Sequence, residues 1–144
     1  MIRGENYVQL LRETSKLTPL VGLTMCAKIY GFCMKQDLFT PMTSIDFMLF
    51  LNIREMAMPI SIKSMKKAKV CYVIYRLSVY VLNPMLKEQW ISAILSTCDI
   101  SRVYYDTHYK SVVAGTSKSD NKTGIGRFVE DLEYALNSGS MENF

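Results

Sequence analysis

The sequence predicts an α+β domain: a largely antiparallel sheet with helices packed on one side. Three observations point there. The segments Leu20 to Phe32 and Val70 to Leu82 alternate their side chains as strands do. Ile125 to Leu136 repeats its apolar residues at helical spacing. The 144 residues are 49% apolar and 21% charged, enough to bury one core, and no Pro- or Gly-rich linker divides them. A single domain over 1–144 follows, with a flexible loop near 115–124 and a short C-terminal arm at 138–144.

Taken in order, Asn6 to Lys16 reads as a helix. Asn6 caps it with Gln9 three residues on, Tyr7, Leu10, Leu11 and Leu17 share a face, and Thr18-Pro19 stops it. In Leu20 to Phe32, Val21, Leu23, Met25, Ala27 and Ile29 fall on one side of a strand, Thr24 and Lys28 on the other. Thr43 to Met56 alternates like a strand, but its length and the capping pair Thr43 and Asp46 favour a buried helix. Val70 to Leu82 is the clearest strand, with Cys71, Val73, Tyr75, Leu77, Val79 and Val81 on its apolar face. Asn83-Pro84 opens a helix that carries Leu86, Trp90, Ala93, Ile94 and Thr97 on one side. Arg102 to Ala114 reads as two short strands turning at Asp106-Thr107-His108. The final helix presents Ile125, Phe128, Val129, Leu132, Ala135 and Leu136 and closes at Ser138-Gly139.

The composition narrows the function classes. The longest apolar runs fall well short of the roughly 20 residues that span a bilayer. The N-terminus has no apolar stretch of the signal-peptide kind, which predicts an intracellular protein. Cys26, Cys33, Cys71 and Cys98 sit in apolar segments at irregular spacing, which predicts buried thiols rather than disulfides.

Motifs for chemistry are incomplete, and no cofactor is implied. A nucleophilic unit can be drawn from Cys98, His108 and Asp106, with His108 as base and Asp106 orienting it. Yet His108 is the sole histidine, and Cys98 closes an apolar helix where a buried thiol is expected. One histidine and scattered cysteines, with no Cys-x-x-Cys, do not predict a zinc site. Gly115 to Gly124, with Lys122-Thr123, imitates a phosphate-binding loop. It is one residue too long and has Asn121 where a glycine must let the backbone wrap a phosphate. These readings together predict that the chain is not an enzyme.

Charge carries the remaining signal. Ser61 to Leu82 holds Lys63, Lys66, Lys67, Lys69 and Arg76 with no acidic residue, and these five form the candidate anion-binding set. The plain alternative is a solvated charged turn on a loop or strand entry after Pro59. Between Arg54 and Arg127 there are twelve basic and five acidic residues, with Arg102, Lys110, Lys118, Lys122 and Arg127 as candidates for the same side. Tyr72, Tyr80, Tyr104, Tyr105 and Tyr109 would either stack on bases or simply cover a sheet. The last seventeen residues reverse the sign, with Glu130, Asp131, Glu133 and Glu142 and no Lys or Arg. Glu130, Asp131 and Glu133, pointing outward, with apolar Met141 and Phe144, form a candidate self-association surface for the basic segment of a neighbouring copy. Within one molecule the two segments would instead neutralise each other.

The stretch Leu77-Ser78-Val79-Tyr80, then Pro84 and the helix from Lys87-Glu88-Gln89-Trp90 to Cys98, resembles matrix proteins of negative-strand RNA viruses. The resemblance covers under a quarter of the chain. It implies a small basic protein that self-associates and bridges nucleocapsid and membrane. The long basic N-terminus common in such proteins is not present here. The expected function is a non-enzymatic structural or adaptor protein, a homo-oligomer that turns a basic face to an anionic partner. Nucleoprotein, RNA and an anionic membrane surface are the candidate partners, in the cytoplasm or, if viral, the virion. The competing expectation is a nucleic-acid-binding regulator or silencing suppressor.

Overall fold

The computed structural model describes residues 4–111 and 124–137. Among the described residues there are seven α-helices: α1 Gly4–Ser15, α2 Leu23–Lys35, α3 Ser44–Leu51, α4 Lys67–Ser78, α5 Lys87–Thr97, α6 Arg102–His108 and α7 Gly124–Asn137. Among the described residues there is no sheet. The β-type pairing there is an isolated antiparallel bridge, Phe39 to Ile62, which ties the α2–α3 connection to the segment before α4. The fold is therefore all-α, and the α+β expectation is overturned.

The two long predicted strands are helices, and their burial patterns show why. In α2 the buried side chains are Cys26, Ile29, Phe32 and Cys33, a spacing of three and four. In α4 they are Val70, Cys71, Val73, Ile74, Leu77 and Ser78, the full two-turn repeat of a helix face, with Tyr72 added. An apolar run satisfies the strand and helix templates at once, so alternation alone does not separate them. Val79 and Leu82, assigned to that strand, lie beyond the helix and are exposed. The hairpin expected over Arg102 to Ala114 is replaced through residue 108 by α6. Ser101 caps it by accepting from the Tyr104 N–H at 3.0 Å.

Other expectations hold. Thr43 to Met56 contains the buried helix α3, capped as anticipated: Thr43 Oγ1 accepts from the Asp46 N–H at 3.0 Å. Asn83 caps a single 3₁₀ turn, Pro84–Leu86, that leads into α5. The first and last helices form close to where predicted, but α1 begins at Gly4, so Asn6 lies inside it and does not cap it, and Leu10 and Leu17 are exposed rather than packed.

The core draws buried side chains from each of these seven helices and includes Trp90, which is fully buried. Helix α1 packs on α5, α2 on α3 and α7, and α4 on α5 and α6. Four rings from α2, α3 and the segment between them, Tyr30, Phe39, Phe47 and Phe50, form a chain of tilted and edge contacts at 5.8–6.2 Å. Helices α2, α3 and α5 each end with a left-handed residue, Asp37, Ile53 and Asp99, at φ 60°, 59° and 60°. In each the next N–H returns to the carbonyl five residues back: Leu38 to Cys33, Arg54 to Leu49 and Ile100 to Leu95. No glycine marks these stops. For β-branched Ile53 the conformation costs about 1–2 kcal/mol.

Candidate functional site

The basic segment straddles a helix start. Lys63 and Lys66 precede α4, Lys67 opens it, and Lys69 and Arg76 lie within it. Their partners differ. Lys63 sits 3.5 Å from Asp37, and Lys66 donates to the Gln36 carbonyl at 3.4 Å, so both are drawn to the end of α2. Lys69 reaches over the Phe128 ring of α7 at 5.1 Å. Burial there, with Lys66 nearby, pulls its ammonium below the ordinary range. Arg76 forms a two-pronged pair with Glu133 of α7, at 2.6 and 2.7 Å. That hydrogen bonding to Glu133 raises the guanidinium above its usual value, even against the cost of burial. Thus the five residues do not form one free patch, and the expectation that Glu133 points outward is corrected: it binds α4 of its own chain. Of the other acidic residues, Glu130 is exposed and Asp131 half-buried, while Met141 and Phe144 lie outside the described residues.

Lys67 stands apart. It is exposed, and its ammonium lies 4.9 Å above the Tyr104 ring of α6. Tyr104 stacks on His108 with centroids 4.1 Å apart, one helical turn on. Tyr105 stacks on Tyr109 at 5.1 Å, and Tyr109 meets Tyr75 of α4 edge to face at 4.7 Å. Exposed Lys110 lies 5.7 Å from both of those rings. Spacings of four along and just past α6 create these two stacks, because residues i and i+4 share a face. Arg102 belongs to the same helix but is neutralised by Glu88 at 3.1 Å and Asp106 at 3.2 Å. Among the described residues no carboxylate pairs with Lys67 or Lys110. Tyr72 and Tyr105 are buried and take structural places; Tyr104, Tyr109, Tyr75 and Tyr80 are half-buried.

A second cationic feature was not anticipated. Arg12 of α1 and Arg54 after α3 line a cleft of about 380 Å³ floored by Phe50, Ile53 and Met56, with Thr97 of α5 at its edge. A further hollow of about 470 Å³ shares Arg12, Arg54 and Glu55 and adds Gln9, Glu13 and Lys16. The Arg12 Nε is buried without a hydrogen-bond partner. Such an orphan donor costs about 1–3 kcal/mol. No motif announces this cleft, since the two arginines are 42 positions apart and isolated from the lysine cluster.

The nucleophilic unit does not assemble. Asp106 accepts from Arg102 Nε, while His108 Nδ1 lies 3.1 Å from the Tyr104 carbonyl. Two residues apart on a helix, Asp106 and His108 face different ways. Burial pushes the thiols up, Cys26 to about 11 and Cys71 and Cys98 to about 12, and Cys33 rises as well. All four stay protonated near neutrality and are poor nucleophiles. Among the described residues no three His, Cys, Asp or Glu side chains are grouped to hold a metal. The Gly115 to Gly124 loop lies outside the described residues except for Gly124, the first residue of α7. No described helix is long and apolar enough to cross a membrane. No protein-family model matches this sequence, and no curated protein or solved structure is significantly similar to it.

Proposed function

We propose that this chain is a non-enzymatic binding module that turns a cationic and aromatic face, Lys67, Tyr104, His108, Tyr75, Tyr109 and Lys110, toward single-stranded RNA. One observation supports it most: two exposed ammonium groups, without carboxylate partners among the described residues, each lie over a ring group, Lys67 at the Tyr104–His108 stack and Lys110 at Tyr75 and Tyr109. Cations track phosphates, and aromatic planes stack on bases, a pairing that lipid head groups do not use. Self-association through Glu130, Asp131, Met141 and Phe144 belongs to the same reading. Several copies would then line up several faces along one strand; self-association is what the resemblance to viral matrix proteins implies.

The test is fluorescence anisotropy with a labelled single-stranded RNA at several salt concentrations. Affinity should fall steeply as salt rises, and Lys67→Glu with Lys110→Glu should weaken it at least about tenfold. Binding to anionic vesicles but not to RNA would redirect the reading to a membrane surface. Unchanged RNA affinity in the double variant would remove this face from consideration.

A further inference from the structure

We propose that the cleft between α1, the α3 exit and α5 is a binding site for a phosphate monoester with a polar, hydroxyl-bearing body. Three observations carry it, none shared with the aromatic face.

First, two guanidinium groups from separate elements line one cleft, and neither has an ion-pair partner among the described residues. Two positive charges suit a dianionic phosphoryl group, and the planar fork of arginine matches its oxygens. Second, the helix stop at Ile53, with φ 59°, turns the chain so that the next residue, Arg54, lines the same cleft as Arg12. Third, the hollow of about 380 Å³ and one of about 470 Å³ share the same two arginines, so a phosphoryl group there leaves room for an organic body.

The surroundings define that body. Phe50 and Ile53 are almost fully buried, so half-buried Met56 supplies the apolar surface of the cleft. Glu55, exposed at the rim of both hollows, places a carboxylate against a second phosphate and accepts hydrogen bonds from hydroxyls or amines. Thr97 Oγ1 donates to the Ala93 carbonyl at 3.0 Å and keeps its acceptor side free. A monophosphate on a sugar-like body fits this chemistry better than a fatty acid or a polyphosphate.

The experiment follows the Arg12 and Arg54 Nε–H signals by NMR in the full chain during titration with adenosine monophosphate, adenosine and inorganic phosphate. The monophosphate should shift both signals saturably, inorganic phosphate should compete, and adenosine should do neither. Arg54→Gln should weaken binding at least about tenfold, while Lys35→Gln, an equal charge loss on α2, should leave it within about twofold. Among the described residues the Arg54 side chain makes no ion pair, and helical content by circular dichroism checks that the variant is folded. Were it unfolded, the wild-type titration would still decide. No saturable shift up to roughly 1 mM, equal effects of adenosine and its monophosphate, or undiminished affinity in folded Arg54→Gln would each overturn the proposal.

Discussion

Asn52 shows how much one polar side chain does in this core. It is buried, and its Oδ1 accepts from the Leu20 and Val21 N–H groups at 2.6 and 3.1 Å. Its Nδ2 donates to the carbonyls of Val21 and Met48 at 3.2 and 3.1 Å. The α1–α2 connection, which would otherwise leave buried backbone groups unpaired, is thereby fastened to the end of α3. Asn52→Ala should destabilise the protein by about 3 kcal/mol, since two buried donors lose their acceptor. Chemical denaturation measures this, and a loss below about 1 kcal/mol would mean that water replaces the side chain. The sequence does not advertise the role, because Asn52 reads there as one polar residue inside an apolar run. Arg12 and Ile53 escape notice for a related reason. Their significance lies in a missing partner and a backbone angle, and neither is a property of residue type.

Among elements, α4 is the most instructive. Its Val, Ile, Cys and Tyr residues favour strands on a half-buried surface, yet the segment is a helix buried on most of its circumference. Packing against α5 and α6 outweighs the small helix-propensity deficit of β-branched residues, a few tenths of a kcal/mol to about 0.7 each. The burial of Val73, Leu77 and Trp90 was nonetheless foreseeable, because a long apolar side chain in so apolar a segment goes inside under either geometry. Helices α3 and α7 were readable from a cap and from clear 3.6-residue spacing. Those signals are local, whereas the choice between strand and helix in α2 and α4 is settled by neighbours far along the chain. The Arg76–Glu133 pair joins α4 to α7 and is partly shielded from water, with 25% and 36% side-chain exposure. Glu133→Gln should therefore cost about 1–2 kcal/mol and loosen α7 first, read as faster amide exchange there than in α5. Equal exchange rates in variant and parent would make the bridge incidental.

At the scale of the whole molecule, a net charge of +4 is distributed unevenly. The basic segment disperses toward three neighbours, the end of α2, α6 and α7, and one of its charges cancels an acidic residue of α7. What remains free for partners is narrower than the sequence suggests, and linear clustering is a poor guide once a helix fans its side chains around an axis. Within α7, Glu130 and Asp131 pair with no cation among the described residues and are left for a second copy. If self-association uses that tail, removing Ser138 to Phe144 should lower the mass by light scattering while the helical signal persists. A parent that is monomeric at high concentration, or a truncated protein of unchanged mass, would sink the assembly reading.

The sole tryptophan gives the molecule a built-in optical gauge. Trp90 has no accessible surface, and its indole N–H is held by the Leu51 carbonyl at 2.8 Å. Its fluorescence should accordingly be blue and shielded from dissolved quenchers, without background from any second indole. Because α5 touches α1, α4 and α6, a loosening of any of these contacts that lets water reach the indole will redden that one signal. Emission colour thus records the integrity of the central packing, while the Arg12 cleft and the α6 face can fill or empty without passing through the chromophore's immediate hydrogen bond.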